Sequence, residues 1–308
     1  MKRFSVLLPM LLWAMLAAAQ GPAFGFTSAA PRLTVPFERW NHHIYVQVRI
    51  NGSRPLDFLF DNGAGASGIM IDSSVAAEIG LVPTGRVQAA MTGGSSGFPV
   101  TDSVRLGLDS LWVQKQKAAW FQLKAQEPAE GHRIDGILSY SFFRHFVFEI
   151  DYRRRLLTIA DPAHYNDAQW PRRLPLKDLD QERVLIVEGT LVTKSGRAVR
   201  VPFTFDTGHD EYLVLGRRLV ERLHLMRDTL RRQPARVRQG LGGVTDLKLG
   251  ALRSIRIGGI QKTAPDVLFA FDKEGNYAAF NGALLGGRFF ERYTLVLHYP
   301  KQYAVLVP

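Results

Sequence analysis

Val201-Pro202-Phe203-Thr204-Phe205-Asp206-Thr207-Gly208 repeats, 145 residues on, the pattern of Leu56-Asp57-Phe58-Leu59-Phe60-Asp61-Asn62-Gly63. Each stretch is a run of β-forming apolar residues that ends in an acid and a glycine, the pattern of a buried strand leading into a tight turn. Three further landmarks recur in the same order: Val75–Leu81 matches Leu219–Leu225 at an offset of 144, while Ile137–Phe143 matches Leu284–Phe290 and Ile150–Tyr152 matches Leu297–Tyr299, both at 147. Solenoids repeat every ~20–50 residues, so a period of this length predicts two halves of one duplicated architecture.

Outward from these landmarks the chain alternates apolar and polar residues. Tyr45–Ile50, the Asn51-Gly52 turn and the strand leading to Asp61 read as a hairpin, and Leu185–Thr193, Ser195-Gly196 and Val199–Phe205 repeat it. Phe146–Tyr152 and Leu156–Ile159, joined through Arg153-Arg154-Arg155, read as another hairpin that returns at 293–307. With 28 Gly and 16 Pro across 308 residues, turns are frequent and long helices few. The expectation is an all-β chain with two β-barrel-like lobes related by a pseudo-twofold axis. The lobes are placed at 34–160 and 183–308, joined by a polar, Pro-spotted linker at 161–182.

The chain has no Cys, which excludes disulfides, thiolate metal sites, iron–sulfur clusters and a cysteine nucleophile. Lys and Arg total 39 against 28 Asp and Glu, a formal charge of +11 that suits anionic surroundings. The cluster Arg227, Arg231, Arg232, Arg236 and Arg238 lacks interleaved aromatics and reads as a solvated loop, so no nucleic-acid partner is expected. Met1-Lys2-Arg3 followed by the apolar run Phe4–Ala19, closing on Ala17-Ala18-Ala19, has the form of a signal peptide over 1–19. The run is shorter than the ~20 apolar residues that span a bilayer. Its removal predicts an exported, periplasmic or secreted protein with an N-terminal extension at 20–33 and no membrane span. Uncleaved, the segment would serve as an N-terminal anchor.

Asp61 and Asp206 each follow a buried strand and precede a glycine, a setting in which a carboxylate is costly unless it is satisfied or used. A twofold axis between the repeats would bring the two acids together. Carboxyl groups at hydrogen-bonding distance share one proton, so one can take a proton from a water while the other polarises a carbonyl. The chemistry implied is amide hydrolysis without a covalent intermediate.

Phe205-Asp206-Thr207-Gly208 followed by Tyr212-Leu213-Val214-Leu215, with Gly282-Ala283-Leu284-Leu285-Gly286 downstream, resembles the Asp-Thr-Gly signature and the later hydrophobic-hydrophobic-Gly element of aspartic proteases. Two copies in one chain resemble the bilobed pepsin-like arrangement, and the short lobes look closer to bacterial retropepsin-like aspartyl proteases. The resemblance implies the acid-protease fold, catalytic Asp61 and Asp206, and active-site loops supported by Asn62, Gly63, Thr207 and Gly208. It also implies a substrate-covering flap at Met91, Thr92, Gly93 and Gly94, no cofactor or metal, and a monomer that takes a peptide or protein substrate in the interlobe cleft. A catalytically silent peptide-binding protein is the alternative on the same fold.

The chain departs from the family pattern at four places. Asn62 stands where the family has Thr, giving an amide that can donate but is longer than a hydroxyl. One extra residue follows Gly63, the expected flap lacks Tyr, and His209 replaces a small residue after Gly208, where it would bias the shared proton. Gly93-Gly94-Ser95-Ser96-Gly97 fits a serine-hydrolase motif, but Phe98-Pro99-Val100-Thr101 reads as strand where that motif needs a helix. His42 and His43 are adjacent, so on a strand they face opposite sides and cannot share a metal; both are expected at the surface.

Overall fold

The computed structural model describes residues 23–66, 68–91, 94–177, 179–228, 236–240, 243–271 and 276–308. The expected signal segment therefore lies outside the described residues. The architecture is all-β and two-lobed, with a third sheet built by both lobes.

In the first lobe, Leu111–Phe121, Ile69–Asp72, Gly136–Leu138, Leu56–Phe60, His43–Ile50 and Gly94–Leu108 pair in that order, and Gly94–Leu108 pairs back onto Leu111–Phe121. The sheet thus closes on itself, leaving few edges for aggregation. The second lobe follows the same path through Val267–Ala270, Leu213–Leu215, Ala283–Leu285, Ala198–Phe205 and Leu185–Thr193. Here the long strand is divided into Gly243–Gly250 and Leu252–Ile257. The expected hairpin turn between His43–Ile50 and Leu56–Phe60 has both Asn51 and Gly52 at positive φ, 51° and 78°, as a two-residue turn matching strand twist requires.

The lobes join in a six-stranded sheet ordered Leu174–Pro175, Tyr303–Val307, Thr294–His298, Val147–Asp151, Leu156–Ala160 and Arg32–Pro36. Its centre pairs the two repeats directly, with Glu149 opposite Val296, its equivalent at an offset of 147. The pseudo-twofold axis passes through that pair. Arg155 and Gln302, also 147 apart, both turn their hairpins at positive φ, 56° and 50°. Two segments outside the expected lobes contribute strands: Phe24–Phe26 pairs with Leu111–Phe121, and Leu174–Pro175 of the linker pairs with Tyr303–Val307. Among the described residues no helix is long and apolar enough to cross a membrane.

Candidate active site

Asp61 and Asp206 are positioned by the same device in each lobe. Gly136–Leu138 runs parallel to Leu56–Phe60 and antiparallel to Ile69–Asp72; Ala283–Leu285 stands in the same way between Ala198–Phe205 and Leu213–Leu215. Each acid's N–H donates into this inserted strand, Asp61 to Leu138 O at 3.4 Å and Asp206 to Leu285 O at 2.9 Å. Below, Phe60 packs on Phe143 and Phe148 with ring centroids 4.6 and 5.3 Å apart, and Phe205 packs on Phe290 at 5.1 Å. Backbone pairing and buried aromatics thus hold both acids at rigid strand ends.

The glycines show how close the two acids lie. A Cβ built on Gly63 would fall on the Asp206 carboxyl, and one built on Gly208 would fall on the Asp61 carboxyl. Each glycine is the space that the other lobe's acid occupies, and the two carboxyl groups interact closely enough to titrate as a pair. Burial raises the pKa of both, and the neighbouring Asp61 charge raises Asp206 well above the usual carboxylate range. Asp61 is also raised, but His43 and two backbone donors oppose the rise. Gly63 N–H and Ala64 N–H reach Asp61 Oδ1 at 2.9 and 3.0 Å, whereas Asp206 Oδ1 receives Gly208 N–H at 3.0 Å. Two carboxyl groups this close share one proton.

The loops are cross-braced. Asn62 N–H donates to Thr207 Oγ1 at 3.2 Å, Thr207 Oγ1 donates to Phe60 O at 2.7 Å, and Thr207 N–H donates to Asn62 Oδ1 at 2.6 Å. The expectation that the Asn62 amide donates across the interface is corrected: its oxygen is engaged, because a backbone N–H needs an acceptor, and Nδ2 is a buried donor with no partner. The extra residue of the first loop does not displace Asp61. Tyr140 N–H reaches Ala64 O at 2.9 Å as Gly287 N–H reaches His209 O at 2.6 Å, so the loops match as far as Ala64 and His209 and the insertion falls before Ile69.

The sequence pattern of aspartyl proteases matches residues 46–142 and 187–289, once in each lobe and over most of the chain. The chain belongs to the aspartyl protease family. No match is found among curated proteins.

In this member of the aspartyl protease family, each lobe carries an antiparallel hairpin. Gly85–Met91 pairs with Gly94–Leu108 down to Met91 opposite Gly94; Thr92 and Gly93, the expected flap tip, lie outside the described residues. The second lobe carries a counterpart, Arg236–Gly240 on Gly243–Gly250, that the sequence reading missed. Arg236 and Arg238 are thus on a strand and not in a solvated loop, while Arg231 and Arg232 lie outside the described residues. An apolar cluster underlies each hairpin, including Leu59, Ile137, Val87 and Phe98 in the first lobe and Val214, Leu284, Leu247 and Leu249 in the second. Ser95 and Ser96 are on strand, without the helix that a serine nucleophile requires.

Two histidines depart from expectation. His43 is not a surface residue: its side chain is 12% exposed, and Nδ1 lies 2.8 Å from Glu130 Oε1, which also accepts Tyr45 Oη–H at 2.9 Å. His42 pairs instead with Glu291. His209 accepts Glu211 N–H on Nδ1 at 3.1 Å and meets Tyr277 edge-on. His43 attracts Asp61 electrostatically, and the carboxyl of Glu130 beside the ring raises the imidazole pKa against the effect of burial.

Proposed function

We propose that this chain is an exported aspartic endopeptidase that cleaves peptide bonds with a water activated between Asp61 and Asp206. The observation that carries the reading is the pair of carboxyl groups, each seated against the other lobe's glycine. One ionised and one protonated acid on the same water is the arrangement that general acid–base hydrolysis needs. Asp61, with two backbone donors, takes a proton from the water as the water oxygen bonds to the scissile carbonyl carbon. Asp206 gives its proton to the carbonyl oxygen. The tetrahedral diol then collapses: one hydroxyl gives its proton to Asp206 as the carbonyl re-forms, the C–N bond breaks, and the leaving nitrogen takes the proton held by Asp61, which restores the dyad.

The paired hairpins with apolar clusters beneath them suit an extended peptide held through its backbone, with side chains in apolar subsites. Both acids come from one chain, so a monomer completes the site. The test is cleavage of unfolded protein and of a peptide library between about pH 4 and pH 7 by wild type and Asp206→Ala. A wild type no faster than that variant at any pH leaves the cleft as a peptide-binding module without catalysis. Export rests on the pattern of residues 1–19. N-terminal sequencing of the mature protein should read from Gln20, and finding Met1 or Lys2 would overturn it.

A further inference from the structure

We propose that His43, held as an imidazolium by Glu130, determines which acid of the pair carries the charge, making Asp61 the base and leaving the proton on Asp206. The proposal rests on the hydrolytic reading above and names a positioning residue for it.

The two lobes differ at the position level with each acid. His43–Ile50 pairs with Leu56–Phe60 in a register that sets Tyr45 opposite Leu59, and two residues further toward the cleft His43 comes level with Asp61. Leu185 stands opposite Phe205 in the second lobe, and one residue further Val184 comes level with Asp206. By register, a histidine therefore stands level with one acid and a valine with the other.

The groups facing His43 are mostly anionic. Glu130 holds Nδ1, and Asp210 of the second lobe and Asp61 attract the ring. Asn41 Nδ2 lies 3.4 Å from Glu130 Oε2 and 3.3 Å from Asp210 Oδ2, so this cluster crosses the lobe interface. Tyr45 shares Glu130, and His132 meets Tyr45 edge-on at 4.5 Å between ring centroids. Nε2 is buried and has no partner, so the ring's charge is compensated by the Glu130 bond and the surrounding acids. Burial alone would lower the imidazole pKa, yet these acids raise it. A positive charge in a partly dry site favours the ionised form of the carboxyl beside it.

A His43–Glu130 pair that only fastened the Glu130 segment to the barrel would not change how Asp61 titrates. The test follows the Asp61 carboxyl by ¹³C NMR, together with the pH profile of kcat/KM, in wild type, His43→Phe and Glu130→Gln. Glu130→Gln keeps the ring and a hydrogen-bond partner while removing the carboxylate that holds its proton, and it decides the matter if His43→Phe does not fold. Both the Asp61 titration and the acid limb should move up by about one pH unit, a loss of about tenfold on the acid side. A folded variant with Asp61 and the acid limb unmoved overturns the proposal. The NMR measurement needs no turnover: a wild type no faster than Asp206→Ala, with Asp61 still shifting, would refute hydrolysis and leave the role of His43 standing.

Discussion

Asp61-Asn62-Gly63-Ala64 and Asp206-Thr207-Gly208-His209 are two versions of one loop on one scaffold, and their differences are concentrated around the shared proton. The scaffolds match: an inserted strand on one side, an aromatic floor, a glycine that admits the opposing acid. The surroundings do not, since Asp61 receives two backbone donors and faces His43, while Asp206 receives Gly208 N–H and stands level with Val184. A symmetric pair would leave the proton equally on either acid. Duplication brings the carboxyls into contact, and divergence of the neighbours makes their surroundings unequal, which on the proposed reading separates base from acid.

The comparison breaks first at the acids themselves. Asp61→Ala and Asp206→Ala should each lower hydrolysis of unfolded protein by about a thousandfold, since base and acid are both required whatever their asymmetry. Circular dichroism should show both variants folded, and either one retaining wild-type turnover would end the shared-water reading. Next come the glycines. Gly63→Ala and Gly208→Ala each drive a methyl into the opposite carboxyl and should cost about a hundredfold or more, equally from either lobe. A large inequality between them would show that the acids do not meet symmetrically.

The brace distinguishes the lobes by stability. Thr207→Val leaves both the Asn62 N–H and the Phe60 carbonyl without their buried partner, a cost of about 2–5 kcal/mol. Asn62→Ala removes the acceptor of Thr207 N–H alone and should cost about 1–3 kcal/mol. Denaturant unfolding of the two variants measures the difference, and the reverse order would place the weight of the brace on the first lobe.

Acidity sharpens the comparison further. Folding raises the pKa of both acids, so their contribution favours the folded state at pH below the ordinary carboxylate value of 3.8 and is lost as pH rises through the raised values. Wild-type stability should therefore fall across that window as pH increases. Asp206→Asn, which cannot ionise, should flatten the fall and be the more stable protein at neutral pH. Equal slopes in urea-unfolding series of the two proteins would mean that Asp206 is not the strongly raised acid.

These outcomes also show which parts of the molecule can be read from a chain alone. The strands into Asp61 and Asp206 are legible because burial on both faces leaves continuous apolar runs, and repetition makes each confirm the other. The pairing of Glu149 with Val296 is not, since nothing local in either hairpin specifies a partner 147 residues away. Phe24–Phe26 is three residues long, too short for alternation to register, and Arg236–Gly240 carries its alternation under arginines that suggest solvent. His43 is hidden in another way. Adjacency with His42 indicates opposite faces, but the acid that engages it lies 87 residues downstream, and its level with Asp61 follows only from strand register.

The smallest effect is expected at Asn62, where the two loops differ within the brace. Asn62 already accepts Thr207 N–H at 2.6 Å, so the role its oxygen performs is the one that a threonine hydroxyl would take over. What threonine adds is a donor of the right reach, able to bond to the Phe205 carbonyl as Thr207 bonds to that of Phe60, and what it removes is the buried Nδ2 without a partner. An unsatisfied buried donor costs about 1–3 kcal/mol, and the shorter side chain gives back part of that through looser packing, so Asn62→Thr should stabilise the fold by roughly 1 kcal/mol. Activity should change by less than about tenfold, the equivalent of 1.4 kcal/mol, because Asp61 is held by Gly63 and Ala64 and not by the side chain at 62. Paired unfolding curves and kcat/KM values for wild type and Asn62→Thr decide the matter. An inactive wild type that Asn62→Thr brought to life would show that the amide had silenced the site, and a variant destabilised by more than about 1 kcal/mol would show that Nδ2 has a use in the native protein.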